Sequence, residues 1–152
     1  MKELTREEME NLLHTVGDGV LALSSEDSPY CIPFGFVYIE GKVYLSMFPK
    51  GKKWDIFQKN SRVCFNVFGW KEDHSEWASV VIDGEMVAVR DLTEIESVVK
   101  ANIEKVGLDP LNYLKKRMAI YQKNMDNPSS LKILRIETEH MAGRKMKTLI
   151  GD

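Results

Sequence analysis

Residues 44–67 read YLSMFPKGKKWDIFQKNSRVCFNV, and the fold is organised around this stretch. An apolar run typical of a β-strand ends at Pro49, and a basic glycine turn follows. A short amphipathic helix is predicted over residues 52–58, and a second strand rich in β-branched and aromatic residues comes next. The first N–H groups of a helix have no intrahelical partner, and the helix dipole makes that end positive. Strand, basic turn and helix start are therefore typical of an anion site.

The composition favours a soluble enzyme or binding protein over a nucleic-acid or membrane protein. The chain has 152 residues and a net charge of −2, which predicts one domain, 1–152, without the basic excess of nucleic-acid binders. No apolar run approaches the ~20 residues of a membrane helix, and the charged N-terminus has no signal-peptide core. We therefore expect a cytoplasmic protein. Cys31 and Cys64 lie in apolar runs without a CxxC motif, so we expect buried free thiols.

The first half of the chain has the pattern of successive β-hairpins. Thr5 and Glu8 match a capping box for a helix ending near Val16. Strands are predicted at 20–24, 30–39, 42–48, 62–68 and 76–89, the last either continuous or a hairpin broken at Asp83-Gly84. Pro33 cannot donate a ladder hydrogen bond, so it predicts a sheet edge, a bulge or an open backbone position.

The second half becomes helical. Residues 91–94 carry a second capping signal, and Asp109-Pro110 starts another helix. A last strand is predicted over 131–137, and residues 141–146 are predicted to be a tail. Hairpin strands followed by a helical pair and a returning strand predict a mainly β (α+β) fold, an antiparallel barrel of about six strands with flanking helices.

Most of the reactive side chains have simple structural interpretations. The three histidines (His14, His74 and His140) lack ligand spacing, so no metal site is expected. The cysteines have no histidine nearby in sequence, which leaves nucleophilic catalysis without support. Glu94 and Glu96 are expected to be solvated acids of a first helical turn. The tryptophans (Trp54, Trp70 and Trp77) are expected to anchor a core or an interface.

The turn at residues 50–53, Lys-Gly-Lys-Lys, admits two interpretations. Six of the residues from Lys42 to Arg62 are basic and only Asp55 is acidic, a local charge of +5. On spacing alone, a solvated basic loop is the simpler interpretation. The alternative is a phosphate clamp built from helix N–H groups and two ammonium groups.

The order of several short patterns resembles the flavin-binding split-barrel superfamily of pyridoxamine 5′-phosphate oxidase, and most closely its branch related to nitroimidazole resistance. The matching patterns run from Val16 to Lys145: Gly19-Val20-Leu21-Ala22, Pro29-Tyr30 with Pro33 and Phe36, Tyr44, Gly51-Lys52-Lys53 with Asn60, Val63-Cys64-Phe65, Ser79-Val80 before Gly84, and Arg135-Ile136-Glu137 before Gly143. The resemblance implies a six-stranded split barrel that forms a homodimer with FMN at the subunit interface.

The same resemblance implies which residues hold the cofactor. The FMN-binding positions are Ile32, Pro33, Ser46, Met47, Gly51, Lys52, Lys53 and Ser79. Lys52 and Lys53 would hold the phosphate, the strand positions would contact the ring, and Ser79 would make a polar contact. The resistance branch carries His where this chain has Ser46, and the residues that recognise pyridoxal substrates in the true oxidases have no clear counterpart here.

The leading hypothesis is an FMN-dependent oxidoreductase that passes hydride or electrons between NAD(P)H and a small-molecule acceptor. A non-catalytic flavin or haem carrier is the alternative, with His140 as the one feature that favours haem. A dimeric scaffold without a working cofactor site is a third hypothesis.

Overall fold

A computed structural model describes residues 1–148, so residues 149–152 of the predicted domain lie outside the described residues. The described part contains nine strands and four helices. Their bounds are β1 Lys2–Glu3, α1 Arg6–Thr15, β2 Asp18–Ser25, β3 Ser28–Gly35, β4 Val37–Ile39, β5 Lys42–Met47, α2 Lys52–Lys59, β6 Arg62–Trp70, β7 Glu76–Ala88, α3 Leu92–Lys105, α4 Pro110–Lys123, β8 Lys132–Glu137 and β9 His140–Lys147.

The strands form an antiparallel sheet in the order β3-β2-β6-β7-β8-β5-β4, and β9 lies between β7 and β1. The predicted class, a mainly β fold with flanking helices, is confirmed, although the strands number nine in residues 1–148 rather than six. The prediction of a tail at 141–146 is wrong. This segment is β9, which pairs with β7 from Glu76↔Lys147 to Asp83↔His140.

The long strand β7 connects the two halves of the sheet. Asp83 ends its pairing with β9, and Met86 begins its pairing with β8 along the same edge. Asp83-Gly84 is therefore no hairpin turn, and the continuous-strand alternative is the correct one. Gly84 lies where the strand passes from one partner to the next, and a Cβ there would approach the Glu137 carbonyl to 3.5 Å.

Two apolar clusters stabilise the fold. The first fills the barrel with the inward-facing residues of neighbouring strands, such as Leu21, Phe65 and Ile82. The second lies between the outer surface of β4, β5 and β8 and the helical pair, where Val98 and Ile103 of α3 are buried. Leu111, placed by its spacing on the apolar face of α4, is instead largely exposed.

Glu94 connects α3 to the barrel and is not the solvated acid expected from its position. The Tyr44 hydroxyl donates to Glu94 Oε2 at 2.6 Å, and Arg135 Nη1 lies 2.8 Å from both carboxylate oxygens. Burial opposes ionisation of Glu94, but these hydrogen bonds outweigh it and hold the pKa of the carboxyl below its usual range.

Candidate functional site

The barrel is split between two open backbone edges. β3 pairs with β2 along its whole length and has no strand on its other side within residues 1–148. β4 covers β5 only from Lys42 to Tyr44, so Leu45–Met47 are open on that side. If the pairing of Val37 with Tyr44 continued, Gly35 would lie opposite Ser46, but the described strands do not pair there. The sheet edge predicted from Pro33 is confirmed, and the split lies between this edge and β5.

A lysine at the end of α3 holds the chain at the point where β3 turns into β4. Lys105 Nζ donates to the carbonyl oxygens of Gly17 at 2.6 Å and Phe36 at 2.8 Å. The Phe36 N–H also donates to the Gly17 carbonyl at 3.0 Å. These bonds tie Phe36 to the start of β2, so β3 follows β2 instead of continuing beside β5.

The basic turn follows the open end of β5 directly. Gly51 precedes the first residue of α2 and has φ of +86°, a conformation that favours glycine. No side chain caps the helix, and its first backbone bond runs from the Asp55 N–H to the Gly51 carbonyl at 3.1 Å. The N–H groups of Lys52 and Lys53 precede that bond and are available to an anion.

The two lysines of the turn keep their charge uncompensated. Lys52 Nζ lies 4.9 Å from the ring centre of Tyr30 on β3, which places the turn beside the open strand edge. In the described part of the chain, no carboxylate lies within 4 Å of the ammonium of Lys52 or Lys53. The chain thus presents positive charge and free N–H groups at one end of the split.

Seven of the eight predicted FMN positions lie along the split or at its basic end. Gly51, Lys52 and Lys53 form the turn, whereas Ile32-Pro33 and Ser46-Met47 lie on the two open edges. The side chains of Ile32 and Met47 pack into the barrel core. Ser46 faces the helical pair, as its cross-strand neighbour Ile133 does. At these four positions, the strands present backbone atoms to the split, and the side chains point elsewhere.

Ser79 lies elsewhere, on the outer face of the sheet. Its hydroxyl accepts a hydrogen bond from Asn66 Nδ2 at 2.8 Å. Asn66 belongs to a cross-strand row that continues through Val20 to Pro33. Ser79 therefore shares a face with Pro33 but is separated from it by β2 and β6.

The sequence analysis did not predict this partly exposed apolar outer face, nor the contact of Tyr30 with Lys52 and the hydrogen bond of Asn66 to Ser79. The inner residues of β6 are apolar, and so are outer residues such as Cys64, Phe68 and Trp70, with Phe68 53% exposed. A strand that is apolar on both faces is typical of one covered on both sides. The run from Val63 to Trp70, which is apolar on both faces apart from Asn66, was the available signal.

The cysteines lie on the same outer face, and the expectation that both are buried is wrong. Cys31 is exposed because β3 is an edge strand, whereas Cys64 is half-buried. Burial and the neighbouring Asp83 raise the pKa of the Cys64 thiol. Ala22 pairs with both cysteines, so β2 separates them by two strand spacings, about 10 Å, which is too far for a disulfide. Both thiols are free.

Comparison with known families decides what kind of barrel this is. The profile of the pyridoxamine 5′-phosphate oxidase family matches residues 5–145. The chain belongs to this family. No curated protein sequence matches the chain. Among residues 1–148, no helix is long and apolar enough to cross a membrane.

Solved structures share the fold of this family member. An FAD-binding protein from Mesorhizobium loti is 23% identical, with a TM-score of 0.66 over 95% of each chain. A candidate 5-nitroimidazole antibiotic resistance protein from Bacteroides thetaiotaomicron is 16% identical, with a TM-score of 0.72 over 95% of this chain and 86% of the other. An FAD and haem binding protein from Mycobacterium smegmatis is 14% identical, with a TM-score of 0.72 over 100% of this chain and 77% of the other. At these identities the likeness shows the split-barrel fold alone.

Proposed function

We propose that this protein binds FMN in the split between β3 and β5 and passes hydride or electrons between NAD(P)H and a small-molecule acceptor. The observation that carries the proposal is the uncapped, doubly basic start of α2 beside two open strand edges. Membership of the family and the flavin-binding solved relatives support a flavin as the ligand.

The basic turn fits the phosphate of FMN. A phosphate dianion takes up hydrogen bonds from helix N–H groups and from ammonium groups, and Lys52 and Lys53 supply both. A Cβ built on Gly51 would meet nothing within 4 Å, so the approach to the helix end is open. Asn60 holds the other end of α2, since its Nδ2 donates to the Ser24 carbonyl at 3.0 Å.

The strand edges fit the flavin ring. N–H and C=O groups of an open β-edge have no ladder partner, and a ring that carries its own donors and acceptors satisfies them. Ile32 and Met47 keep the edges rigid because their side chains are anchored in the barrel core. The N–H groups that remain free at these edges would donate hydrogen bonds to a bound ring and would favour negative charge on it.

The bound flavin supplies the redox chemistry, and the protein supplies binding, orientation and electrostatics. The eight predicted positions include no acid and no histidine. We therefore assign these residues to cofactor binding and none of them to proton transfer.

We further propose that the outer face of the sheet is the homodimer interface. The row Pro33, Val20, Asn66, Val81 and Ala142 crosses five strands with a single polar member. Exposed apolar patches of this kind are typical of protein interfaces. Val81→Arg places a charge within the row, next to its central member Asn66, and we expect sedimentation to show a monomer. A dimer that persists in this variant would place the interface elsewhere.

Paired ligands test the phosphate contact. We expect Lys52→Ala and Lys53→Ala each to weaken FMN binding by about 1–3 kcal/mol, roughly 5- to 150-fold. Riboflavin has the same ring without the phosphate, so its affinity should be the same in both variants as in the unaltered protein. Isothermal titration calorimetry measures both ligands.

The matched control is Lys59→Ala, which removes an exposed lysine from the far end of α2. It should leave FMN affinity within about twofold, because a solvated charge one helix length away is largely screened. If Lys52→Ala and Lys53→Ala weaken the binding of FMN and of riboflavin equally, or leave both affinities unchanged, the basic turn does not hold the phosphate.

The alternative is a non-catalytic flavin or haem carrier. His140 is exposed at the start of β9, opposite Asp83, and one solved relative binds FAD and haem. Anaerobic addition of NADH or NADPH to the flavin-loaded protein separates enzyme from carrier. The proposed activity predicts bleaching of the flavin absorbance, whereas a carrier keeps its oxidised spectrum. A haem carrier predicts a Soret band on haem addition that His140→Ala abolishes.

A further inference from the structure

A second hollow lies away from the predicted FMN positions. Its volume is about 620 Å³, and its walls come from α2, α4, β8 and the junction of β7 with α3. Much of the lining is apolar, including Trp54, Phe57, Ile95, Ile120, Met125 and Ile133. None of the eight predicted FMN positions lines it. The volume is in the range of small-molecule binding sites.

The hollow exists because α4 stands off from the barrel. Met118 is the one residue of α4 that is fully buried, and Ile120 remains 55% exposed although it lines the hollow. On the opposite wall, Trp54 and Phe57 pack edge to face with ring centres 5.3 Å apart. Apolar walls left in contact with water favour an apolar occupant, since covering apolar surface removes it from water.

The charged groups of the lining are cationic. Arg90 and Lys132 line the hollow, and none of its described lining residues is acidic. Lys132 Nζ donates to the Asn127 carbonyl at 2.9 Å and to Ser130 Oγ at 3.2 Å, which are both neutral acceptors. Arg90 forms an ion pair with Asp126 at 3.3 Å, but both side chains are largely exposed and the pair is weak. The hollow therefore combines apolar walls with two cationic side chains, of which Lys132 has only neutral partners and Arg90 has one exposed carboxylate partner.

Neutral donors complete the lining. Burial raises the pKa of the Tyr121 phenol, so it stays protonated and can donate a hydrogen bond. Gln58 and Asn124 also line the hollow, and Asn124 Nδ2 already donates one hydrogen bond to the Ile120 carbonyl at 2.8 Å. These groups suit carboxylate oxygens, which accept hydrogen bonds and carry the negative charge that Lys132 lacks among its neutral partners.

We propose that this hollow is a binding site for an apolar carboxylate, with its hydrophobic body between α2 and α4 and its carboxylate at Lys132 and Arg90. The site is separate from the FMN positions. It shares α2 with them, because Trp54 and Phe57 follow the basic turn directly in the same helix.

Two probes that differ only in the head group test the proposal. 1-Naphthylacetate carries a carboxylate, and 2-(1-naphthyl)ethanol carries a hydroxyl on the same aromatic body. Isothermal titration calorimetry on the full chain should show one acid bound per chain, at least fivefold tighter than the alcohol. Because heat is measured, binding is detected with or without FMN, and failure of the FMN proposal would leave this test intact.

Variants locate the bound acid. Lys132→Met should lower the affinity for the acid at least fivefold and keep the affinity for the alcohol within twofold. Lys123→Met, at the exposed end of α4, should change neither affinity. Ala88→Phe puts a ring into the hollow from β7 and should weaken both probes. The proposal would be overturned if acid and alcohol bound equally, if Lys132→Met weakened both equally, or if Ala88→Phe had no effect.

It would also be overturned if FMN displaced the acid, because the hollow would then belong to the flavin. Failure of both probes to bind would overturn it too, and is the result expected if a second copy of the chain fills the hollow.

Discussion

Replacing Glu94 by alanine should detach α3 from the barrel at a single point. The Glu94 carboxylate receives one hydrogen bond from the Tyr44 hydroxyl and lies 2.8 Å from Arg135 Nη1 through both of its oxygens. Tyr44 is on β5 and Arg135 is on β8, so one side chain joins three elements. Tyr44 is buried, and the side chains of Glu94 and Arg135 are only 19% and 28% exposed.

The expected loss follows from what the substitution leaves unpaired. A hydrogen bond that involves a charged group contributes about 1.5–3 kcal/mol, and Glu94→Ala removes the acceptor of both donors. Arg135 keeps a second carboxylate partner, because its Nε lies 3.2 Å from Glu137 Oε1, and residual exposure lets water replace part of the lost contact. Both effects lower the cost. We expect Glu94→Ala to reduce the free energy of unfolding by about 2–4 kcal/mol. Glu94→Gln keeps an acceptor for Tyr44 and should cost about 1–2 kcal/mol.

The same network predicts how stability depends on pH. The pKa of Glu94 is lower in the folded chain than its ordinary value of 4.5, so the folded state binds this proton less readily than the unfolded state. Its contribution is therefore complete above about pH 4.5 to 5 and is lost as the pH falls through the folded pKa. The stability difference between the unaltered protein and Glu94→Gln should be constant near pH 7 and shrink on acidification.

Urea denaturation followed by circular dichroism measures these differences. Glu96→Gln is the matched control, because Glu96 is an exposed acid of the same helix and should change the free energy of unfolding by less than about 0.5 kcal/mol. If Glu94→Ala is no more destabilising than Glu96→Gln, the network does not exist in solution. A pH-independent difference would refute the role assigned to the carboxylate charge.

Two further substitutions test how the split and its neighbouring strands are held. Gly19→Ala should destabilise the protein by about 1–3 kcal/mol in urea denaturation, because its Cβ would lie 2.4 Å from the buried Phe65 ring and 2.9 Å from the Asn66 carbonyl; an unchanged midpoint would contradict this close packing. Lys105→Met should lower the free energy of unfolding by about 1–2 kcal/mol and should weaken FMN binding, since the ammonium group links the Phe36 and Gly17 carbonyls. Lys100→Met, which replaces an exposed lysine of the same helix, is the control. Equal effects of the two substitutions would show that this link does not stabilise the protein.

Much of the fold was predictable from short sequence patterns, such as helix caps and turns, because the residues that form them are close together in sequence. The capping box of Thr5 and Glu8 is present, with Thr5 Oγ1 accepting from the Glu8 N–H at 3.1 Å and Glu8 Oε1 accepting from the Thr5 N–H at 3.0 Å. Between the strands predicted at 30–39 and 42–48, Glu40-Gly41 forms the tight turn that such a hairpin needs, with both residues at positive φ. Within such stretches, hydrogen-bond partners lie a few residues apart, so the sequence contains both of them.

The errors occurred where a distant partner decides the outcome. Gly143-Arg144-Lys145 has little strand propensity, yet it is part of β9 because β7 provides a ladder partner. Glycine stands at position 143 because a Cβ there would lie 2.7 Å from the Leu4 side chain. Glu94 was interpreted from its place in a first helical turn, but Arg135 lies 41 residues away. Asp83-Gly84 suggested a turn, whereas Gly84 lies inside β7, between the part that pairs with β9 and the part that pairs with β8.

The candidate site was predictable in part for the same reason. Glycine and two lysines before a helix are visible in sequence, but the open edge of β5 depends on where β4 ends. The proximity of Lys52 to Tyr30 depends on how α2 lies against β3. The apolar hollow could not be predicted, since it is a space between five elements whose packing only the fold defines.

The most direct test of flavin binding is the visible spectrum of the purified protein, recorded before and after addition of FMN and removal of the excess. We predict the absorbance of bound flavin at one FMN per chain, and a lower occupancy in the combined Lys52→Ala and Lys53→Ala variant after the same treatment. A folded protein that remains colourless after exposure to FMN would contradict the proposed function.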